Sequence, residues 1–287
     1  MQIRLAGSQL ADFMSSAREL LNWAAEELND CTTDPTLDSL LLLSEATGIS
    51  RTQVALKNEI AEEQVLQFRS WIIRRKSGEP IQYIVGRAYF RNLTLQVGPG
   101  VLIPRPETES LVDLVRNQIA KLSPPRVLDL GAGSGALALA IASEFPNAQV
   151  TALEKEATAF SWLRKNVIAS NLEIELIHSD VSTLDRREYF DVVIANPPYI
   201  PNSQVLVDEV QKFEPHEALF GGVTGMEIPE RFIEAAAGTL KPGGFLAMEH
   251  HESHGEELSK ILKYSFTNVQ RHYDLAGRPR FSTGVRK

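Results

Sequence analysis

Apolar residues at Leu10, Phe13, Met14, Ala17, Leu20, Leu21, Ala24 and Leu28 recur with the helical period, and predict a helix from Ser8 to about Asn29. Asp34 followed by Pro35 reads as an N-cap with proline at the first helical position, and Gly48 as the stop of that second helix. Ser50 is placed to cap a short third helix. "AEEQVLQFRSWIIRRKSG" predicts a fourth, with acids in its first turn, Arg74, Arg75 and Lys76 in its last, and Gly78 beyond. That basic cluster reads as a solvated helix end.

The pattern changes near residue 80. "YFRNLTLQV" is rich in β-formers around an Arg-Asn turn and predicts a short hairpin. "GPGVLIPRPETE" (98–109) reads as a loop that marks a domain boundary. Helix and strand then alternate: a helix at 107–121, strand "RVLDL", a helix at 135–144, strand "QVTALE", a helix at 156–169, then "IELIHSD" and "FDVVIAN". A long irregular stretch, 197–226, precedes the helix "EIPERFIEAAAGTL", the strand "GFLAMEH", a helix near 255–264 and two final β-like runs. Such alternation predicts a parallel sheet with helices on both faces, and ligands at the carboxyl ends of its strands. Those ends carry Gly131, Glu154, Asp180 and Asn196.

Bulk properties narrow the partners. The 287 residues are 43% hydrophobic and 23% charged, enough for one large or two smaller globular domains, with no repeat and no low-complexity tract. A net charge of −8 argues against a duplex-DNA binder, which needs a basic face. The one cysteine, Cys31, excludes an internal disulfide framework or a cysteine metal cluster. "MQIRLAGSQLADF" does not read as a signal peptide, and "LLLL" at 40–43 is too short to span a bilayer. A cytoplasmic location is expected, as is a monomer without metal or membrane.

"VLDLGAGSGALALA" (127–140) is a strand, a glycine-rich turn and a helix. Gly131, Gly133 and Gly135, with Ala132 and Ser134 between them, allow a tight turn and close approach of a ligand to the backbone. A dinucleotide loop carries its third glycine one place later and sets phosphate on the helix N-terminus. Here Asp129 precedes the loop, and an acid there suits a cofactor with an ammonium group, such as S-adenosylmethionine. Glu154 can accept both ribose hydroxyls. Asp180, or the backbone beside it at Val181, can meet the adenine amino edge.

"NPPY", Asn196 to Tyr199, ends the fourth strand of this alternation. An amide NH₂ has two hydrogens. The Asn196 side-chain oxygen and the Pro197 carbonyl are two acceptors for them, Pro198 stiffens the loop, and Tyr199 offers a flat face for a planar group. "DLGAGSG" followed by "NPPY" resembles the class I S-adenosylmethionine-dependent methyltransferases that modify planar amide or exocyclic amino nitrogens. The motif alone leaves adenine N6 and glutamine N5 open.

"GEPIQYIVGRAYFRNLTLQVGPGVLIPRPETESLV" (78–112) resembles the linker of the bacterial peptide-chain release factor glutamine N5-methyltransferases. "FEPHEALFGG", "LKPGGFLAMEH" and "DLAGRPRF" are similar to further blocks of that family, in its order. The resemblance implies an α/β fold: a Rossmann-like methyltransferase sheet, 107–287, joined by a hairpin linker, 85–106, to an N-terminal helical substrate-docking domain, 1–84. It implies S-adenosylmethionine as cofactor, with S-adenosylhomocysteine as product. The implied substrate is the Gly-Gly-Gln glutamine of class I release factors, which places the protein in translation termination. Asn196, Pro197 and Tyr199 would be catalytic. A ribosomal-protein glutamine methyltransferase ranks second, a DNA adenine methyltransferase and a non-catalytic cofactor binder behind it. Glu154 stands where the family usually has Asp; "VTGMEIPERF" and "MEHHESHG" also depart from its pattern. His250, His251 and His254 read as a polar loop and not as a metal site.

Overall fold

The structure, a computed structural model, describes residues 16–287, and its backbone contacts divide the chain into two units. Among the described residues the first comprises 16–86 together with 208–213, and the second comprises 87–207 and 214–287.

In the first unit, α1 (Ala17–Leu28) begins at Ser16, whose hydroxyl accepts from the Glu19 N–H. The expected Ser8–Ser15 portion of that helix, with Leu10, Phe13 and Met14, lies outside the described residues. α2 (Pro35–Thr47) starts as its cap signature predicts: Asp34 Oδ1 accepts from Leu37 N at 2.9 Å, and Gly48 closes it in the left-handed region. α3 (Arg51–Val54) follows Ser50, but the Ser50 hydroxyl donates to Gln53 Oε1 instead of capping the backbone. α4 (Glu62–Lys76) and the unforeseen α5 (Ile81–Val85) complete the run. Leu20, Ala24, Leu28, Leu42, Leu43, Phe68 and Ile72 form its core.

The expected solvated end of α4 is corrected by this packing. Arg75 is buried, donating to Asp38 Oδ2 at 2.8 Å and to Glu209 Oε2 at 2.7 Å, the latter on the short helix Asp208–Phe213 (α9 in chain order). Arg74 pairs with Glu79 and Lys76 with Glu27. Of the three, it is Arg75 that distant partners withdraw from water; the partner of Arg74 is five residues on, and Lys76 stays exposed.

The second unit opens with the hairpin β1 (Arg87–Phe90) and β2 (Leu93–Gln96), turning at Arg91 with φ 51°. The chain continues through α6 (Ser110–Ile119), β3 (Arg126–Leu130), α7 (Ala136–Glu144), β4 (Gln149–Glu154), α8 (Ala157–Ser170), β5 (Ile174–His178) and β6 (Phe190–Ala195). The stretch expected to be irregular, 197–226, holds β7 (Ile200–Pro201), α9, α10 (His216–Leu219) and β8 (Phe220–Gly222). Such short elements leave no periodic signal. After α11 (Glu227–Thr239), β9 (Leu240–Glu249) begins before the predicted strand, because Phe190 pairs with Leu240 and a register shift then carries the ladder to Val192 and Phe245. α12 (Gly255–Ser265), β10 (Phe266–Tyr273) and β11 (Pro279–Arg286) end the chain.

Seven strands form one sheet in the order β10-β11-β9-β6-β3-β4-β5, parallel except where β11 meets β9 and β10. Alternate residues serve opposite faces, as strand pleating requires. Val127, Val192, Ile194 and Ala247 pack with α6, α7 and the hairpin; Leu128, Val193, Ala195, Leu246 and Met248 pack with α11 and α12. β3 lies between β4 and β6, so the strand order reverses there and opens a crevice at the strands' carboxyl ends. Among the described residues no helix is long and apolar enough to cross a membrane.

Candidate active site

At that crevice lies a cavity of about 550 Å³. β3 brings Asp129 to it and then turns through Gly131, Gly133 and Gly135, with φ of 72°, 57° and 87°. Gly131 is doubly constrained, since a Cβ there would also stand 3.0 Å from the Phe232 ring. The Gly131 and Ala132 N–H groups donate to the Leu153 carbonyl, both at 2.9 Å. The loop is therefore tied to the end of β4.

Asp129 is buried. Its Oδ2 accepts from Ala138 N at 3.0 Å, while its Oδ1 has no partner among the described residues. Burial, with the Glu154 carboxylate adding to it against the Ala138 hydrogen bond, pushes the Asp129 carboxyl up to about 7. An orphaned acceptor of this kind fits a cationic ligand group. Glu154 is buried as well and already binds backbone: Oε2 accepts from Gly133 N at 2.8 Å and Oε1 from Glu156 N at 2.7 Å. Burial raises its pKa, and these N–H donors oppose the rise. Asp180 caps a short 3-10 turn and is held by the Ser182 hydroxyl and N–H and by Arg231 at 3.0 Å; these bonds, the Ser182 hydroxyl foremost, lower its pKa.

Asn196 follows β6. Its Nδ2 donates to Thr108 Oγ1 at 3.2 Å, and its Oδ1 accepts no hydrogen bond among the described residues. The Thr108 hydroxyl donates to Glu249 Oε2 at 2.7 Å, and the Tyr199 hydroxyl donates to Glu249 Oε1 at 2.8 Å. Glu249 is buried at the end of β9, and burial raises its pKa. Burial likewise raises the Tyr199 phenol, with the neighbouring Glu249 charge adding to the shift. Gly221 braces the loop from behind: a Cβ there would come within 2.6 Å of the Pro198 carbonyl oxygen and 2.9 Å of Tyr199 Cα.

Of the residues expected at the site, Asp129, Gly131, Ala132, Gly133, Ser134, Glu154, Asp180, Val181, Asn196 and Pro198 line the cavity. Gly135, Pro197 and Tyr199 do not. Gly135 starts α7, Pro197 is buried, and Tyr199 directs its hydroxyl to Glu249. Sequence reasoning missed four residues. Thr108 fastens Asn196, and Glu249 holds Thr108. Arg231 holds Asp180. The buried Glu214 secures the 98–109 loop through Ile103 N at 3.1 Å and Arg105 at 2.5 Å. Thr108 lies in "IPRPETE", Glu249 in "LAMEH" and Glu214 in "FEPHE", so the blocks were visible although their contacts were not.

The three histidines lie on the polar stretch that follows β9, as expected, but two of them are buried. His250 is fully buried, with Nδ1 2.8 Å from the His251 carbonyl and Nε2 3.0 Å from Ser282 Oγ; His254 is buried too. The reason is that β9 and β11 pair up to this point, and the His250 N–H donates to the Arg280 carbonyl. Burial lowers the pKa of all three rings. Among the described residues no cluster of three or more His, Cys, Asp or Glu side chains is placed to hold a metal ion.

The sheet order and the glycine turn after β3 define a class I methyltransferase fold. The chain aligns with a T. thermophilus 16S rRNA methyltransferase solved with AdoMet and guanosine at a TM-score of 0.53 and 24% identity, over 70% of this chain and 50% of that one. It aligns with a methyltransferase from Pyrococcus furiosus at 0.50 and 21%, over 76% of this chain and 97% of that one. Residues 19–86 match the PrmC N-terminal domain family, and residues 107–218 the methyltransferase small domain family. The chain is 39% identical to the release factor glutamine methyltransferase of Bifidobacterium longum, over 93% of this chain and 98% of the relative. With that of Mycolicibacterium smegmatis the identity is 37%, over 88% and 91%, and with that of Caulobacter vibrioides 34%, over 92% and 94%. The chain belongs to the release factor glutamine methyltransferase family.

Proposed function

We infer that this protein transfers the methyl group of S-adenosylmethionine to the side-chain amide nitrogen of the glutamine in the Gly-Gly-Gln motif of class I peptide-chain release factors. The observation that carries the reading is Asn196, which lines the cavity with its amide nitrogen engaged by Thr108 and its oxygen uncommitted. An amide nitrogen is a weak nucleophile because its lone pair is shared with the carbonyl. The bound cofactor supplies an electrophilic sulfonium methyl. The chain's task is to align the nitrogen and stabilise the positive charge growing on it. Asn196 Oδ1 and the Pro197 carbonyl are the proposed acceptors for the two amide hydrogens, and Pro198 restricts their loop. Tyr199, its phenol kept neutral by burial, stiffens the site from behind and is not a base.

Support for the cofactor's place comes from the orphaned Asp129 Oδ1, which suits its ammonium group, and from the glycine turn, Gly131 to Gly135, which leaves space for it. Glu154 has lone pairs left for ribose hydroxyls after its two backbone bonds, and Asp180 with Val181 borders the same cavity for the adenine. The N-terminal helices, 1–84, are the proposed grip on the rest of the release factor, and the enzyme is proposed to act as a cytoplasmic monomer. Offering equal amounts of release factor and DNA with radiolabelled cofactor tests the reading. Label should enter the release factor; label entering DNA instead would favour the adenine reading.

A further inference from the structure

Asn196 can present either end of its amide to a substrate, and the two ends have opposite meaning. Oxygen inward accepts from a substrate NH₂; nitrogen inward repels it. The two ends differ little in shape, so hydrogen bonds must set the choice. Those bonds are laid out in one row. Glu249, the acceptor at the end of β9, takes the Tyr199 hydroxyl on Oε1 at 2.8 Å and the Thr108 hydroxyl on Oε2 at 2.7 Å. A threonine hydroxyl has one hydrogen. Once it is given to Glu249, Thr108 Oγ1 can only accept from Asn196, which requires Nδ2 at that contact and leaves Oδ1 for the cavity.

The geometry points to Thr108 and Glu249 as positioning residues, which fix the polarity of the Asn196 amide through the row Glu249–Thr108–Asn196 so that its oxygen faces the substrate nitrogen. Neither residue needs to touch the reacting atoms. Thr108 is well suited to the part because it is buried on a 3-10 turn, Pro106–Glu109, begun by a proline. Glu249 is fixed by the sheet, where it pairs with Phe281 of β11. Tyr199 fills the carboxylate's other oxygen, so the same acceptor also ties down the far end of the loop that begins at Asn196. The inference rests on the glutamine reading for its catalytic consequence, but the amide's orientation is a property of the protein itself.

The test uses the whole protein and two readouts. One is single-turnover methyl transfer to a Gly-Gly-Gln release factor. The other is solvent exchange of the Asn196 side-chain NH₂ by NMR, its signal identified by loss in Asn196→Asp. Thr108→Val removes the hydroxyl at nearly constant volume. It should slow transfer by about 10- to 100-fold, the scale of a misaligned reacting group, with KM little changed, and should hasten exchange of the amide. Thr108→Ser should restore both to near wild type. Adding Glu249→Gln to Thr108→Val should slow transfer little further, since Glu249 acts through Thr108. If Thr108→Val does not fold, Thr108→Ala carries the same expectations. Wild-type transfer in the hydroxyl-free variant, unchanged amide exchange, or multiplicative effects in the double variant would each overturn the proposal. If exchange responds as expected but wild type transfers nothing to the release factor, the positioning row stands and the substrate reading falls.

Discussion

The carboxyl of Asp129 should make cofactor binding a proton-releasing event. Burial pushes this carboxyl up to about 7 in the free protein, and its Oδ1 has no partner among the described residues. A bound ammonium favours the ionised form, so the proton leaves as the ligand enters. If only the carboxylate binds, the apparent dissociation constant scales as one plus the ratio of proton concentration to acid constant. That factor is about 11 at pH 6 and about 2 at pH 7, so affinity should rise about fivefold over this unit. The window lies below the ordinary α-amino pKa of about 7.7–8.0, so the ligand stays charged throughout. Titration calorimetry with S-adenosylhomocysteine, in two buffers of different ionisation enthalpy, should report about 0.9 proton released per ligand at pH 6. Asp129→Asn should bind more weakly and lose most of the pH dependence. In the free protein the same shift has an opposite-looking consequence. The folded state holds this proton more tightly than the unfolded chain, so the stability it lends is complete below about pH 4 and is lost as pH rises through about 7. Affinity that is flat from pH 6 to 7 with no proton release would refute the assignment of Asp129 to the ammonium.

Asn196→Ala should leave fold and cofactor affinity nearly unchanged and slow single-turnover transfer by about 10²–10³, the loss typical of one preorganised hydrogen-bonding group. Asn196→Asp, which keeps an acceptor but adds charge, should retain partial activity in the same assay. Glu154→Ala should weaken cofactor binding by about 1–3 kcal/mol by calorimetry, and also free the Gly133 N–H that it now holds; unchanged affinity would move the ribose contact elsewhere. Arg75→Ala strands the buried Asp38 carboxylate, and should destabilise the helical unit by about 3–5 kcal/mol in denaturant melts while sparing cofactor affinity.

Periodicity carried the sheet-forming strands and their helices well. Val127, Leu128 and Leu130, and Val192 to Ala195, are apolar because both sides of a central parallel strand are buried; Asp129 interrupts the first run, and the runs stop at Gly131 and Asn196, which line the crevice. Caps were legible where the signal is local, as at Asp34 and Gly48. The turn at Gly131 and the acid before it were legible for the same reason. What escaped was long-range. Thr108 bonds to a carboxylate 141 positions away, and Arg75 to partners 37 and 134 positions away. No window of sequence contains both ends of such a bond, so Arg75 read as solvated and Thr108 as part of a loop. The burial of His250 was not legible because it depends on the pairing of β9 with β11. The two-residue strand Ile200–Pro201 is too short to have a period at all.

Mapping the methylated atom tests the central claim most directly. A class I release factor incubated with this protein and S-adenosylmethionine, then digested and sequenced by mass spectrometry, should gain one methyl group on the glutamine of its Gly-Gly-Gln peptide. Under single-turnover conditions Asn196→Ala should leave that peptide almost unmodified. A release factor that stays unmethylated, a methyl on any other residue, or wild-type methylation by Asn196→Ala would contradict the account.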